Sequence, residues 1–194
     1  NGSSKSWACQ FGHFTSQTVI AIDAPGFGES QSIDGGMVAI ADEVAALITS
    51  LVTGKVVIIG HSMGAAIATL YAGTFPHRLK TLTLIEAIGP MAGEIDTAPE
   101  RLAQAIVSMK KHNPEQKSRH DTQGFIHARM NGQLKLSQSS AEKIVQRGLT
   151  KTEHGYAWSN DKRLRYTSMM RLPEPIILSF ISQLTAPVLG VFAD

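Results

Sequence analysis

A serine flanked by glycines is the residue of this chain whose sequence context best fits a chemically reactive side chain. Ser62 lies in the sequence GHSMG at residues 60–64, directly after the apolar run at residues 56–59. Adjacent β-branched side chains favour a buried strand, and glycines allow a sharp turn with close packing. Residues 63–72 are good helix formers. A strand, the pattern G-x-S-x-G and a helix together predict a serine nucleophile whose hydroxyl is lifted out of a sheet.

The chemistry open to such a serine requires further groups. A hydroxyl is a weak nucleophile near neutral pH, so a histidine must take its proton and a carboxylate must orient that histidine. The negative oxygen that forms on a carbonyl substrate needs hydrogen-bond donors, and the backbone N–H of Met63 at the helix start is one predicted donor. This setting fits attack on an ester, thioester, amide, lactone or activated C–C bond through an acyl-serine intermediate.

Composition excludes several other classes of protein. The chain has 194 residues, 43% of them hydrophobic, and a formal charge of +2 at pH 7. That charge is too small to argue for nucleic acid or an anionic membrane surface. No apolar run approaches the roughly 18 residues of a membrane-spanning helix, and the single cysteine, Cys9, excludes an internal disulfide. We expect a soluble cytoplasmic protein with a small-molecule substrate; its oligomeric state is left open.

No cofactor is implied by the loops. The turn-rich residues 23–30 contain two closely spaced glycines, but neither G-x-G-x-x-G nor Gly-Lys-Ser/Thr occurs in the chain. We interpret Asp23, Gly26 and Gly28 as residues that shape a turn. Cysteine and histidine pairs at zinc-ligand spacing are also missing. The expected protein therefore uses neither a nucleotide nor a metal cofactor.

The pattern of elements predicts an α/β fold with a mostly parallel sheet. Apolar runs predict strands at residues 18–22, 56–59, 80–85 and 187–192, with helical periodicity between the first two. Because parallel strands are joined by helices, catalytic groups are expected to gather where the strands end. Glu86 and Asp194 each follow one of these strands.

Polar helices replace strands between Met91 and about Ala186. We therefore predict three regions, a core at residues 1–90, an inserted helical cap at 91–185 and a return to the core at 186–194. Capping boxes at residues 97–100 and 139–142 open two of the helices. Two further helices are predicted around residues 125–130 and 176–181. Candidate pocket-lining residues lie here, although ordinary core packing is favoured for each: Met91, Phe125, Met130, Tyr156 and Trp158.

These segments resemble a known family. Residues 23–30, the GHSMG sequence and the insertion after the next strand together resemble the α/β-hydrolase fold, and the resemblance covers the whole chain. More narrowly, the chain is similar to serine hydrolase-like proteins of the kraken type. The segments that carry this narrower similarity are residues 84–90, the stretch from 147–149 through 155–158, Asp161, 163–164 and 186–189. The chain begins without methionine and stops just after a strand, so we interpret it as a fragment that lacks both ends.

The resemblance implies where the remaining catalytic groups belong. In the family the histidine follows the acid near the C-terminus, and none of the seven histidines here is at that place, so we expect the base beyond residue 194. The acid is open between Glu86 and Asp194. The second oxyanion donor is Asn1, if this residue follows the family's His-Gly pair. His61 is expected to be packed and hydrogen-bonded rather than catalytic.

The nucleophile type narrows the implied reaction. Haloalkane dehalogenases and epoxide hydrolases of this fold attack with a carboxylate, whereas this chain has Ser62 there. The resemblance therefore implies a serine hydrolase, and the 194 residues alone are expected to be inactive. Two alternatives remain, a non-catalytic binding protein of the same fold and an acyltransferase or perhydrolase with the same triad.

Overall fold

The structure is a computed structural model that describes residues 4–110, 118–132, 135–165, 168 and 170–193. The chain divides into two compact units, one of residues 1–32 and 112–164, the other of residues 33–111 and 165–194. We call them the first and the second unit.

The described residues form helices and strands in the following chain order: α1 Gly36–Leu51, β1 Val56–His61, α2 Met63–Thr74, β2 Leu79–Ile85, α3 Ala98–Lys110, α4 Gln123–Met130, α5 Gln138–Gly148, β3 Leu149–Thr152, β4 Gly155–Trp158, α6 Glu174–Ser182 and β5 Val188–Val191. Short 3-10 helices cover Ser4–His13, Pro76–Arg78 and Lys162–Arg165. Among the described helices, none is both long enough and apolar enough to cross a bilayer.

A parallel three-stranded sheet forms the centre of the second unit. Its strand order is β1-β2-β5, and both pairings are parallel. The register places His61 beside Ile85 and Ile85 beside Val191. All three strands therefore finish at one edge, as the sequence predicts for a parallel α/β sheet.

Small residues of α2 pack against large residues of β2 in the core of this unit. Leu79, Leu82 and Leu84 are at most 2% exposed, and full burial of such a side chain contributes roughly 1.5–3 kcal/mol. They contact Ala65, Ala68 and Ala72, whose short side chains let the helix lie close to the sheet. The helix α2 also approaches α6 closely. A Cβ on Gly73 would lie 2.5 Å from the carbonyl oxygen of Phe180.

Only one face of β1 is buried by the described residues, which corrects the expectation of a fully buried strand. Val56 and Ile58 pack on the core, but Val57 and Ile59 are 55% and 37% exposed. Side chains alternate between the two faces of a strand, so a β-branched run gives the same sequence signal whether one face or both are covered.

The first unit has a separate aromatic core. Phe125 is 5% exposed and packs with Ala141 and Val145, where α4 meets α5. Trp158 of β4 meets the Phe125 ring edge-on, with a centroid distance of 5.5 Å. The guanidinium of Arg129 lies 4.7 Å from the Trp158 ring centroid, within cation–π distance. Antiparallel pairing of β3 with β4 holds Trp158 in place.

The predicted strand at residues 18–22 is wrong for this structure. These residues form no strand, and Val19 and Ile20 are 41% and 48% exposed. An apolar run becomes a strand only when its backbone finds a partner, and none of the described residues pairs with it. The cap of α5 also differs from the expected one. Ser137, not Ser139, precedes the helix, and its side chain accepts a hydrogen bond from the Ser140 backbone N–H.

The predicted division by function, with a core at residues 1–90, a cap at 91–185 and a return at 186–194, stays a prediction. Contacts group the chain differently, since residues 91–111 and 165–185 fall in the same unit as the sheet. The β3–β4 hairpin was not predicted, although Gly155 offers a turn signal. It has a φ of +120°, which favours glycine.

Candidate active site

Ser62 stands at the turn from β1 into α2 in a backbone conformation that is costly for any residue except glycine. Its φ is +53° and its ψ is −118°. Hydrogen bonds on both sides hold it there. Its N–H donates to the Ile85 carbonyl at 2.8 Å, while its own carbonyl accepts from the N–H groups of Ala65 and Ala66. The serine is exposed. The surrounding structure therefore fixes an exposed hydroxyl at the strand-to-helix turn, at a cost of about 1–3 kcal/mol.

Only one of the two glycines around Ser62 is needed for close packing. A Cβ on Gly60 would lie 2.6 Å from the Gly64 carbonyl oxygen and 2.7 Å from the Ala65 Cα. A Cβ on Gly64 would have no neighbouring atom within 4 Å outside the backbone of its own helix. Gly60 is thus the residue that lets α2 begin directly beside β1.

The residue predicted to donate to the oxyanion lies at the N-terminus of α2. Met63 is the first residue of this helix and is half-buried. The first N–H groups of a helix have no acceptor within the helix, and the helix dipole favours negative charge there. The role of Met63 stays a prediction, as does that of Asn1, which lies outside the described residues.

Glu86 begins the turn after β2 and is bonded twice to the segment that ends β5. Its N–H donates to the Val191 carbonyl at 3.0 Å. Its carboxylate oxygen Oε1 accepts a hydrogen bond from the Ala193 N–H at 2.6 Å. Its φ of +60° lies in the left-handed region. The other acid candidate, Asp194, lies outside the described residues.

A buried threonine attaches the turn after β2 to α2. Thr69 is 0% exposed, and its hydroxyl oxygen lies 2.6 Å from the Ile88 carbonyl oxygen and 3.1 Å from that of Ala65. The hydroxyl therefore donates to the turn from within the helix. Sequence reasoning missed this contact, because threonine in an apolar helix gives no signal beyond its own polarity.

A family model decides the identity of this fold. The model described as the alpha/beta hydrolase fold matches residues 1–171 of the chain. The chain belongs to the alpha/beta hydrolase fold family. This confirms both the fold and the resemblance found in the sequence.

This alpha/beta hydrolase is similar in sequence to serine hydrolase-like proteins of two animals. It is 24% identical over 184 residues to a serine hydrolase-like protein of Danio rerio, and 25% identical over 187 residues to a probable serine hydrolase of Drosophila melanogaster. Each match covers 90% of this chain and 56% of the relative, so the chain spans about half the length of these proteins. A crystal structure of a hypothetical protein from Pseudomonas aeruginosa PAO1 superimposes with a TM-score of 0.88 at 29% identity. That match covers 100% of this chain and 70% of the other.

The histidines of this alpha/beta hydrolase leave the catalytic base unassigned. His61, beside Ser62, is exposed rather than packed, because it shares the uncovered face of β1 with Val57 and Ile59. Within the described residues no histidine hydrogen-bonds to Ser62, and His112 lies outside them. The expectation of a base beyond residue 194 stays a prediction.

The candidate pocket residues fall into two groups. Met91 belongs to the second unit and is 71% exposed. The other four lie together in the first unit, where Phe125 is part of the core and three residues pack against it: Met130, Tyr156 and Trp158. Trp158 also lines a cavity of about 160 Å³ in that unit, together with Phe27 and Arg147. A role for any of them in binding substrate stays a prediction.

The glycine-rich loop of the first unit has the turn-shaping role expected from the sequence. Gly26 and Gly28 have φ values of +81° and +54°. The carboxylate of Asp23 accepts hydrogen bonds from the backbone N–H groups of Ser4 and Glu29, at 2.5 and 3.1 Å. The loop is thus closed around a carboxylate. In the described part of the chain, no group of three histidine, cysteine or acidic side chains is placed to hold a metal ion.

Asp161 is the carboxyl group with an altered pKa beside this loop. Its N–H donates to the Gly26 carbonyl at 2.9 Å. Burial by itself raises its pKa, but a hydrogen bond from Ser32 and hydrogen bonds and charge from Arg163 outweigh that effect. The net pKa is below the ordinary value of 3.8. Its carboxylate form is therefore favoured in the folded state.

Proposed function

We propose that this chain carries the nucleophile of a serine hydrolase that acts on an ester or a related carbonyl substrate. The observation that carries the proposal is the strained, exposed Ser62 between a parallel strand and a helix N-terminus. Strain at such a position persists only when the surroundings hold it, and it is concentrated at functional sites. The names of the zebrafish and fly relatives support the same conclusion.

In the proposed reaction, Ser62 Oγ attacks the carbonyl carbon of an ester, a thioester, a lactone or the ketone of a cleavable C–C bond. A histidine takes the hydroxyl proton as the bond forms, and the oxyanion is stabilised by the Met63 N–H. Collapse of the tetrahedral intermediate expels the leaving group, which receives the proton, and leaves an acyl-serine. Water, activated by the same histidine, then hydrolyses this intermediate. A carboxylate, Glu86 or Asp194, orients the histidine.

The assignment of Ser62 can be tested by covalent labelling. The full-length gene product is treated with a fluorophosphonate, which reacts with activated serines, next to Ser62→Ala and the control Ser50→Ala. Ser50 is an exposed serine of α1. We expect labelling of the wild type and of Ser50→Ala but not of Ser62→Ala. A folded full-length protein that is not labelled would contradict the proposal and favour a binding protein of the same fold.

A further inference from the structure

We infer that two arginines of the second unit, Arg101 and Arg171, form a binding site for the carboxylate group of a small molecule. The inference goes beyond the proposed function and does not depend on it. A surface cavity of about 280 Å³ in this unit is lined by both arginines and three other polar residues: Thr97, Glu100 and Gln104. None of the five belongs to the Ser62 turn or to the turn that starts with Glu86. The cavity is therefore a site separate from the proposed nucleophile.

A glycine lets the two arginines approach each other. An added Cβ on Gly93 would lie 2.5 Å from Arg101 Nη1 and 2.7 Å from the Arg171 Cβ. Gly93 is not among the glycines with positive φ, so what it supplies here is the lack of a side chain. Its N–H donates to the Leu172 carbonyl at 3.1 Å, which holds the segment containing Arg171 beside it. The backbone thus brings both arginines to one place.

Neither arginine has a carboxylate partner in the described part of the chain. No acidic side chain there lies within ion-pair distance of Arg101 or Arg171. Arg101 Nη2 donates to Thr97 Oγ1 at 2.9 Å, whereas the Arg171 guanidinium donates to no described residue. Both side chains are half-buried, and a guanidinium keeps its proton in proteins. Two like charges therefore face one cavity, where a bound anion would stabilise both.

Glu100 limits the charge of the anion that the cavity can take. Its Oε1 accepts a hydrogen bond from Gln104 Nε2 at 3.4 Å, one turn further along α3, and not from either arginine. Two guanidiniums and one carboxylate give the cavity a net positive charge of one. A singly charged anion neutralises it, whereas Glu100 would repel the second charge of a phosphate group. A planar carboxylate also matches the paired N–H donors of a guanidinium.

NMR of the arginine side chains in the full-length protein tests the site, with acetate as the probe. The Nε–Hε signals of Arg101 and Arg171 should shift together, with a Kd on the order of 1 mM. In Arg171→Gln, the Arg101 signal should report a Kd raised by about tenfold or more, because one charge-assisted contact is lost. The exposed Lys110→Gln at the end of α3 is the control for loss of positive charge. It should keep the Kd within about twofold.

Gly93→Ala tests the geometry without changing the charge. The added methyl group would occupy the space between the arginines, so acetate should bind more weakly than to the wild type. Circular dichroism of each variant verifies that it is folded. If Gly93→Ala does not fold, Arg101→Gln provides the second variant, and its Kd, read from the Arg171 signal, should also rise by about tenfold or more. An unchanged Kd in Arg171→Gln would overturn the inference.

Glu100→Gln and inorganic phosphate test the charge balance. Removal of the Glu100 charge should tighten acetate binding by about two- to fivefold. The wild type should bind acetate more tightly than inorganic phosphate, and Glu100→Gln should reduce this preference. Tighter binding of phosphate than of acetate by the wild type would overturn the assignment of a carboxylate.

Ser62→Ala separates this site from the proposed active site. Acetate should shift both arginine signals in this variant as it does in the wild type, whether or not Ser62 is a nucleophile. Loss of the shifts in Ser62→Ala would place the acetate at the Ser62 turn and refute the inference. Their absence in the wild type, at acetate concentrations well above the expected Kd, would refute it as well.

Discussion

Two residues at the ends of neighbouring strands adopt conformations that usually belong to glycine. Among the described residues, Ser62 and Glu86 are the non-glycine residues with positive φ, at +53° and +60°. Each directly follows a strand of the parallel sheet, and the register places those strand ends side by side. Backbone strain is thus concentrated where the proposed chemistry takes place.

Replacing Ser62 by glycine should give a more stable protein than replacing it by alanine. Relief of the φ and ψ strain outweighs the extra unfolded-state entropy of glycine, so we expect Ser62→Gly to be about 1 kcal/mol more stable than Ser62→Ala. Urea denaturation followed by circular dichroism measures the difference. Ser50, near the C-terminal end of α1, serves as the matched control. Here the order should reverse, with the glycine variant less stable by about 1 kcal/mol. The same order at both sites would contradict strain at Ser62.

Sequence reasoning found Ser62 but not the bonding around Glu86. The GHSMG motif has a local pattern, because a strand, a turn and a helix follow one another along the chain. The bond from Ala193 to Glu86 joins residues 107 positions apart. Nothing local to either residue indicates it. The bond depends on strand register, which the sequence alone does not contain.

At the level of elements, β1 and α2 form one tightly packed module. The N–H groups of Ala65 and Ala66 bond to the Ser62 carbonyl, and Thr69 reaches from the helix to the turn after β2. The position of α2 relative to the strands therefore sets both the Ser62 turn and the turn that starts with Glu86. This arrangement requires the start of α2 to lie directly against β1 at Gly60.

Alanine at Gly60 should disrupt the module. The added methyl group would lie within 2.7 Å of backbone atoms, which cannot move without shifting the helix. We expect Gly60→Ala to lower the free energy of unfolding by about 1–3 kcal/mol or more. Chemical denaturation provides the measurement. Gly64→Ala is the matched control, because that position is open and helical. It should be neutral or more stable by up to about 1 kcal/mol. Equal stability of the two variants would contradict the claim that the packing at Gly60 has no room for a methyl group.

Element type was easier to predict than pairing. Periodicity located α1, β1, β2 and β5, because each has a run of apolar residues with a clear period. It failed at residues 18–22, where the same kind of run has no pairing partner among the described residues. A strand is a property of two segments, so a single segment predicts only the capacity to form one.

At the scale of the whole chain, contacts join segments that are distant in sequence within each unit. In the first unit, the loop containing Gly26 and Ser32 is hydrogen-bonded to Asp161. Helices α4 and α5 lie between this loop and Asp161 in the sequence. The side chain of Asp161 is 16% exposed, and its carboxylate lies 2.8 Å from the Arg163 guanidinium. This arrangement makes stability dependent on pH.

Asp161→Asn should be less stable than the wild type near pH 7, with a difference of at most about 1 kcal/mol. Because the folded-state pKa of Asp161 is lowered, its carboxylate stabilises the fold above the unfolded pKa of about 4, and this contribution is lost as the pH falls through the folded value. Urea titrations from pH 7 to pH 3 should show the difference shrinking. The exposed Asp42→Asn on α1 should change stability by less than about 0.5 kcal/mol at pH 7. A constant deficit for Asp161→Asn at every pH would contradict a charge effect.

The order of the sheet has a consequence for folding kinetics. The crossover from β1 to β2 spans only α2 and a short 3-10 helix, whereas residues 86–187 separate β2 from β5. Closing a long loop costs more entropy and slows the pairing that depends on it. The Ser62 turn can therefore form early, from β1, α2 and β2, while the contact between Glu86 and Ala193 must wait for β5. On a ribosome, the Ser62 turn would be shaped well before β5, which holds the Glu86 turn, is synthesised.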